Sequence, residues 1–165
     1  MEVSHALDEA LRDTILAIDD EKFREELRYT REELEERFRR PGFTCFLLAL
    51  EGRPTAYDYG YDDEEPGVFY SDSAATLIER RGVGSTLSAL EAVYCYGRGY
   101  KRVKLSTEER DEVGRALRLY WERFGFRVVS VDEDDNIVMV MELTPEAVRG
   151  LHNRYLTSGD STKVL

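Results

Sequence analysis

Glu79-Arg80-Arg81-Gly82-Val83-Gly84-Ser85 separates a short apolar run, Val68–Ala75, from a segment in which Val83, Leu87, Leu90 and Tyr94 recur at helical spacing. The run before it reads as a strand and the segment after it as a helix. A helix start leaves its first backbone N–H groups without intrahelical partners, and the helix dipole adds partial positive charge there. Glycines let a ligand approach that backbone closely. The combination is an anion cradle suited to a pyrophosphate, and Arg80 and Arg81 bring donors to it in an otherwise acidic chain. It is not a dinucleotide fingerprint, because the third glycine position falls on Leu87, and no Gly-Lys-Ser/Thr makes a P-loop. A glycine-rich turn with no ligand accounts for Gly82-Val83-Gly84 alone equally well.

Upstream, Leu7, Leu11, Ile15 and Ile18 mark one face of a helix. Asp20 is placed to cap a second helix carrying Phe23, Leu27, Leu34 and Phe38, which Pro41-Gly42 ends. Thr44–Leu50 and Thr55–Tyr61 read as strands joined by Glu51-Gly52-Arg53-Pro54, and an acidic loop from Asp62 leads to Val68. Downstream, Gly97-Arg98-Gly99-Tyr100 ends a helix and Arg102–Ser106 reads as a strand. Val113, Leu117, Tyr120 and Phe124 mark a helix stopped at Gly125. Strands Phe126–Val131 and Ile137–Leu143 flank Asp132-Glu133-Asp134-Asp135-Asn136. Thr144-Pro145-Glu146 starts a last helix, with a threonine cap and proline in the first turn, and Thr157–Leu165 reads as a frayed tail. This order, without repeats or linkers, predicts a mixed α/β layer fold.

The 165 residues suffice for one domain with its own core. Lys and Arg number 23 against 34 Asp and Glu, a net charge of -11. So acidic a chain is a poor binder of nucleic acid and is repelled by anionic membranes. The longest apolar stretch, near Phe46–Leu50, is too short to cross a bilayer, and the N-terminus is not basic-then-apolar, so a cytoplasmic chain is expected. Cys45, Cys95, His5 and His152 form no zinc-ligand spacing, and both cysteines sit in apolar segments as buried thiols.

A second motif follows the glycine stretch: Ala116-Leu117-Arg118-Leu119-Tyr120-Trp121-Glu122-Arg123-Phe124-Gly125-Phe126. With the strand-(Gln/Arg)-x-x-Gly-x-Gly-helix pattern before it, the chain resembles the GNAT (Gcn5-related N-acetyltransferase) superfamily. That family pairs such a glycine turn with a helix reading Ala-x-x-Leu-Tyr-x-x-x-Gly-Phe. The resemblance covers residues 1–143 and implies one α/β (α+β) domain there. That domain is a mixed, mostly antiparallel central sheet with helices on both faces, and 144–165 add a C-terminal helix and a flexible tail.

The resemblance further implies acetyl-CoA as cosubstrate, no metal, and acetyl transfer to a primary amine of a small molecule or peptide. Arg80, Arg81, Gly82, Val83, Gly84 and Ser85 would hold the CoA pyrophosphate. Asp72, Ser73 and Ala74 would pair through backbone groups with the pantetheine arm, and Tyr120 would protonate the departing thiolate. The chemistry suits these roles, since a leaving thiolate needs a proton and a tyrosine hydroxyl can supply one. Taken without the motif, Tyr120 reads as a core aromatic in phase with Leu117 and Phe124. The chain departs from the family pattern at Glu79, where Gln or Arg is usual, and at Val113, where Asn is common. The base that deprotonates the amine is unassigned among Asp72, Ser106, Glu108 and a water chain. A CoA-binding module with altered catalysis, acting as a sensor or interaction protein, is the alternative class. Asp19-Asp20-Glu21 and Asp132-Glu133-Asp134-Asp135 border the acceptor side in this family, which favours a cationic acceptor. The assembly is expected to be a monomer or homodimer.

Overall fold

The computed structural model describes residues 2–5, 8–78 and 82–157. Among the described residues, seven strands and five α-helices run in the order β1 (Glu2–Ser4), α1 (Glu9–Lys22), α2 (Arg31–Phe38), β2 (Thr44–Leu50), β3 (Arg53–Asp62), β4 (Val68–Thr76), α3 (Val83–Gly97), β5 (Arg102–Thr107), α4 (Leu117–Phe124), β6 (Arg127–Val131), β7 (Ile137–Glu142) and α5 (Pro145–Leu151). A 3-10 turn, Glu25–Leu27, precedes α2, and a π-helical turn, His152–Leu156, extends α5. One sheet runs β1-β2-β3-β4-β5-β7-β6, and its neighbours are antiparallel except β4 and β5.

That parallel pair shapes the molecule. It holds only from Val68↔Arg102 to Tyr70↔Lys104, although β4 continues to Thr76 and β5 to Thr107. Beyond Tyr70 the two strands part and leave a cleft. A bulge starts the separation: Gly60 faces Ser71 and Tyr59 faces Ser73, so Asp72 is the extra residue. Such insertions bend and twist a strand. Gly60 is required opposite the bulge, because a Cβ there would lie 2.2 Å from the Tyr70 carbonyl oxygen.

Alternation along β3 divides the core. Tyr57, Tyr59 and Tyr61 pack with Leu11, Ile15, Ile18, Leu34 and Phe38 of α1 and α2 on one face. On the other, Ala56 and Phe46 meet Leu87 of α3. A larger cluster joins Ala89, Ala92 and Cys95 of α3 to Val103, Met139, Met141, Phe124, Val148 and Leu151. The C-terminal segment thus packs into the core through α5 and the following turn. Helices cover both faces of a mostly antiparallel sheet, as the family resemblance implies.

Several local expectations change. Asp20 does not cap a second helix; it lies inside α1, which runs on to Lys22. The cap is Thr30, because Glu33 completes a reciprocal capping box with it. Phe23 and Leu27 therefore fall outside α2, and Leu27 is exposed. Val113 lies in the loop before α4, at 76% exposure, rather than on the helix face. β1 has no sequence signal, being three residues that pair with β2. Among the described residues no helix is long and apolar enough to cross a membrane. The expected tail from Ser158 to Leu165 lies outside the described residues.

Candidate active site

The start of α3 borders the cleft. Gly82 is its N-cap, with φ at +71°, a left-handed conformation that glycine takes without strain, and no side chain caps the helix. The first intrahelical bond runs from the Thr86 N–H to the Gly82 carbonyl, 2.9 Å. Among the described residues, chain neighbours and the helix's own backbone aside, no atom lies within 4 Å of where a Cβ would stand on Gly82 or Gly84. The N-terminus is thus approachable from outside, as an anion site requires. Glu79, Arg80 and Arg81 lie outside the described residues.

Ser85, one residue into the helix from Gly84, meets α4. Its Oγ lies 2.8 Å from the Tyr120 hydroxyl. Tyr120 is 36% exposed, unlike Phe124 on the same helix at 4%, so it is not a core aromatic. Its ring rests edge-on against Trp121, 4.8 Å between centroids. Burial raises the Tyr120 pKa and the Ser85 hydrogen bond opposes that rise. A phenol kept protonated in this way is a proton donor at neutral pH.

Asp72, Ser73 and Ala74 occupy the bulge and the part of β4 that no longer pairs with β5. Ala74 is exposed. The Asp72 carboxylate is fully engaged: it accepts from the Tyr29 hydroxyl at 3.0 Å, Arg37 Nε at 2.8 Å and the Tyr61 hydroxyl at 3.0 Å. The Arg37 guanidinium also stacks 3.6 Å over the Tyr29 ring. This carboxylate braces the bulge against α2, with three of its roughly four acceptor sites taken. Ser106 Oγ accepts from the Tyr70 hydroxyl at 3.3 Å across the mouth of the cleft. Glu108 is exposed in the loop after β5. That loop is tied to the segment after α1 by Arg24 Nε and Glu112, 2.5 Å apart.

The acidic borders differ from each other. Asp19 turns inward, 3% exposed, and accepts a hydrogen bond from the Tyr57 hydroxyl. Asp20 pairs with Arg28 at 2.9 Å. In the β6–β7 hairpin, Asp132 accepts from the Asp134 and Asn136 N–H groups and from the Asn136 side chain, which hold its pKa below the usual carboxylate value. Glu133, Asp134 and Asp135 remain exposed there. The sequence reading missed Tyr29, Arg37, Tyr57 and Tyr61. Alternation in Tyr57-Asp58-Tyr59-Gly60-Tyr61 signals a shared face for the β3 tyrosines, but nothing local points to Arg37. A depression of about 440 Å³ lined by Phe124, Met141, Leu151 and Arg154 includes none of the cleft residues.

A sheet split between its parallel strands, with an open helix N-terminus on one side and a tyrosine on the next helix, defines the class: the chain has the fold of the GNAT N-acetyltransferases. It is similar to an aminoglycoside 6'-acetyltransferase type Ii at 18% identity, covering 88% of this chain and 99% of that one, with a TM-score of 0.72. The ribosomal-protein-S18-alanine N-acetyltransferase from Escherichia coli aligns at 14% identity over 87% of this chain and 94% of that one, TM-score 0.70. An aminoglycoside 6'-N-acetyltransferase complexed with coenzyme A aligns at 16% identity over 88% and 98%, TM-score 0.68. No protein-family model and no curated protein matches the sequence.

Proposed function

We propose that the protein is an acetyl-CoA-dependent N-acetyltransferase acting on a primary amine. The observation that supports this reading is the 2.8 Å link between Ser85 and Tyr120, which puts a tyrosine hydroxyl against the first turn of α3, next to the Gly82 helix start. The backbone N–H groups of Val83, Gly84 and Ser85 would take the pyrophosphate, with Gly82 forming the turn. The free edge of β4 at Asp72, Ser73 and Ala74 would take the pantetheine arm through main-chain hydrogen bonds. Acetyl-CoA supplies the thioester whose acetyl group passes to the amine. Tyr120 holds the proton that the departing thiolate needs. Fixed donors near the carbonyl oxygen lower the barrier, because negative charge grows there.

A cationic acceptor fits the exposed Glu133, Asp134 and Asp135 of the β6–β7 hairpin. Asp19 and Asp20 support it less, being engaged by Tyr57 and Arg28. The test is thiol release from acetyl-CoA over amino acids, polyamines, aminoglycosides and peptides with free N-termini, alongside calorimetry with acetyl-CoA. Saturable, amine-dependent release is expected. Binding without release on any amine would make the protein a CoA-binding module, and a flat calorimetric trace would remove both readings.

A further inference from the structure

α1 presents Leu11, Ile15 and Ile18 to the sheet, and the next inward position is a carboxylic acid, Asp19, 3% exposed. Burying a carboxylate without a cation is unfavourable. The charged and titratable groups facing Asp19 are Tyr57 from β3, Asp20 from its own helix and Arg28 from the segment before α2. Arg28 sends Nη1 to Asp20 and Nε to the Phe23 carbonyl, so it does not neutralise Asp19 by contact. The direct partner of Asp19 is the hydroxyl of Tyr57, whose side chain is wholly buried.

Tyr57 connects onward. Its oxygen lies 3.1 Å from Ser73 Oγ. A tyrosine hydroxyl has one hydrogen, and here it goes to the carboxylate, so Ser73 is the donor in the second bond. The lone pairs of Ser73 Oγ are then left to accept from outside. Ser73 stands directly after the bulge, on the part of β4 that has left β5, and its side chain shares the α1–α2 face with Tyr59 across the strand pair. The polarity of the chain is that of a path carrying a proton inward.

We infer that Ser73, Tyr57 and Asp19 form a proton relay from the acceptor side of the β4–β5 cleft, with the Asp19 carboxylate receiving the proton lost by the attacking amine. This rests on the transferase reading above. An ammonium N–H gives its proton to Ser73 Oγ, the Ser73 hydrogen passes to the Tyr57 oxygen, and the Tyr57 hydrogen passes to Asp19. One proton moves in total: the amine becomes neutral, the carboxylate becomes a carboxylic acid, both hydroxyls are restored, and no electron pair leaves its atom. The thiolate takes its own proton from Tyr120, which is exposed and regains one from water. Asp19 returns its proton by the same path. Burial, followed by the opposing Tyr57 hydrogen bond, puts the Asp19 pKa up at about 6, where a base is ionised at neutral pH yet still proton-seeking.

The test is the pH dependence of kcat/KM for spermidine, kanamycin and an alanine-initiated basic peptide in wild type, Asp19→Asn, Tyr57→Phe and Ser73→Ala, with acetyl-CoA affinity and Tm measured on each. Wild type should show an acidic limb near the Asp19 value of about 6. Asp19→Asn and Tyr57→Phe should lose that limb and fall on the order of 10²-fold, while retaining acetyl-CoA affinity. Their remaining rate should climb with pH toward the pKa of the free amine. Tyr57→Phe keeps the carboxylate and the ring volume, so it decides the matter if Asp19→Asn does not fold. Turnover with an unchanged acidic limb in the folded variants would overturn the relay and leave the transferase standing. Absence of turnover on every amine in wild type would overturn both.

Discussion

Ser85 Oγ and the Tyr120 hydroxyl share a hydrogen bond of 2.8 Å that joins the first turn of α3 to α4. One contact thereby connects the helix end proposed to take phosphate with the residue proposed to protonate sulfur. Tyr120→Phe removes the proton and keeps the ring, so kcat should fall on the order of 10²–10⁴-fold with acetyl-CoA affinity little changed. Ser85→Ala should lose less. It removes an interaction that lowers the Tyr120 pKa, so the alkaline limb of kcat should move to higher pH. Stopped-flow thiol release at saturating acetyl-CoA measures both.

The open space around Gly84 makes its replacement a clean probe. A Cβ there meets no atom within 4 Å among the described residues beyond its own helix, so Gly84→Asp should fold. It places a carboxylate where phosphate is expected, and acetyl-CoA should cease to raise Tm. In wild type, ligand at 100 times its Kd should add about 2.7 kcal/mol of stability. Thermal melts of both proteins with and without acetyl-CoA give the comparison. Unchanged ligand stabilisation in Gly84→Asp would move the phosphate site elsewhere.

Asp58 of β3 and Glu91 of α3 oppose each other in the interior, both fully buried and without a cationic partner among the described residues. Ser88 Oγ donates to Asp58 at 3.1 Å, while Asp58 Oδ1 and Glu91 Oε2 have no donor among the described residues, so one proton shared between the carboxyls satisfies both. Burial, with the like charge adding to it for Glu91, raises both pKa values. The folded chain then holds protons that the unfolded chain releases above the ordinary carboxylate range, and stability falls as pH rises from there through the raised values. Glu91→Gln keeps the shape and removes one ionisation. Its Tm should vary less between about pH 5 and pH 8 than that of wild type, with the gain in stability on the alkaline side. Melts across that range check the sign.

The β6–β7 hairpin offers a test of acceptor charge that spares its fold. Asp132 organises the loop by its hydrogen bonds and should be left alone. Glu133→Gln, Asp134→Asn and Asp135→Asn together remove three of the loop's four exposed carboxylates, and asparagine tolerates the φ of +62° at position 135. The triple variant should raise KM for a cationic acceptor and flatten its salt dependence, since the Debye length falls from about 10 Å at 0.1 M to about 3 Å at 1 M. KM for acetyl-CoA should not move. A neutral or anionic best acceptor would remove the charge argument.

Periodicity and turn chemistry by themselves determined the order of helices and strands after β1 and the Gly82-Val83-Gly84 helix start, while the motif carrying Tyr120 was legible through its resemblance to the GNAT family. These are local signals: a helix face repeats within a few residues, and a glycine turn is set by its own backbone. Sequence erred where two local signals competed, as at Asp20 and Thr30, because the capping box with Glu33 was the stronger. Only the tertiary structure decided where side chains distant in sequence would meet. Asp72 faces Arg37, Tyr29 and Tyr61 because the bulge in β4 turns it toward α2. Asp19 is buried because α1 lays that face on the β3 tyrosines. The cleft exists because pairing of β4 with β5 ends at Tyr70. Each depends on how whole faces pack and how far a strand pair extends, and neither is written in the spacing of neighbouring residues.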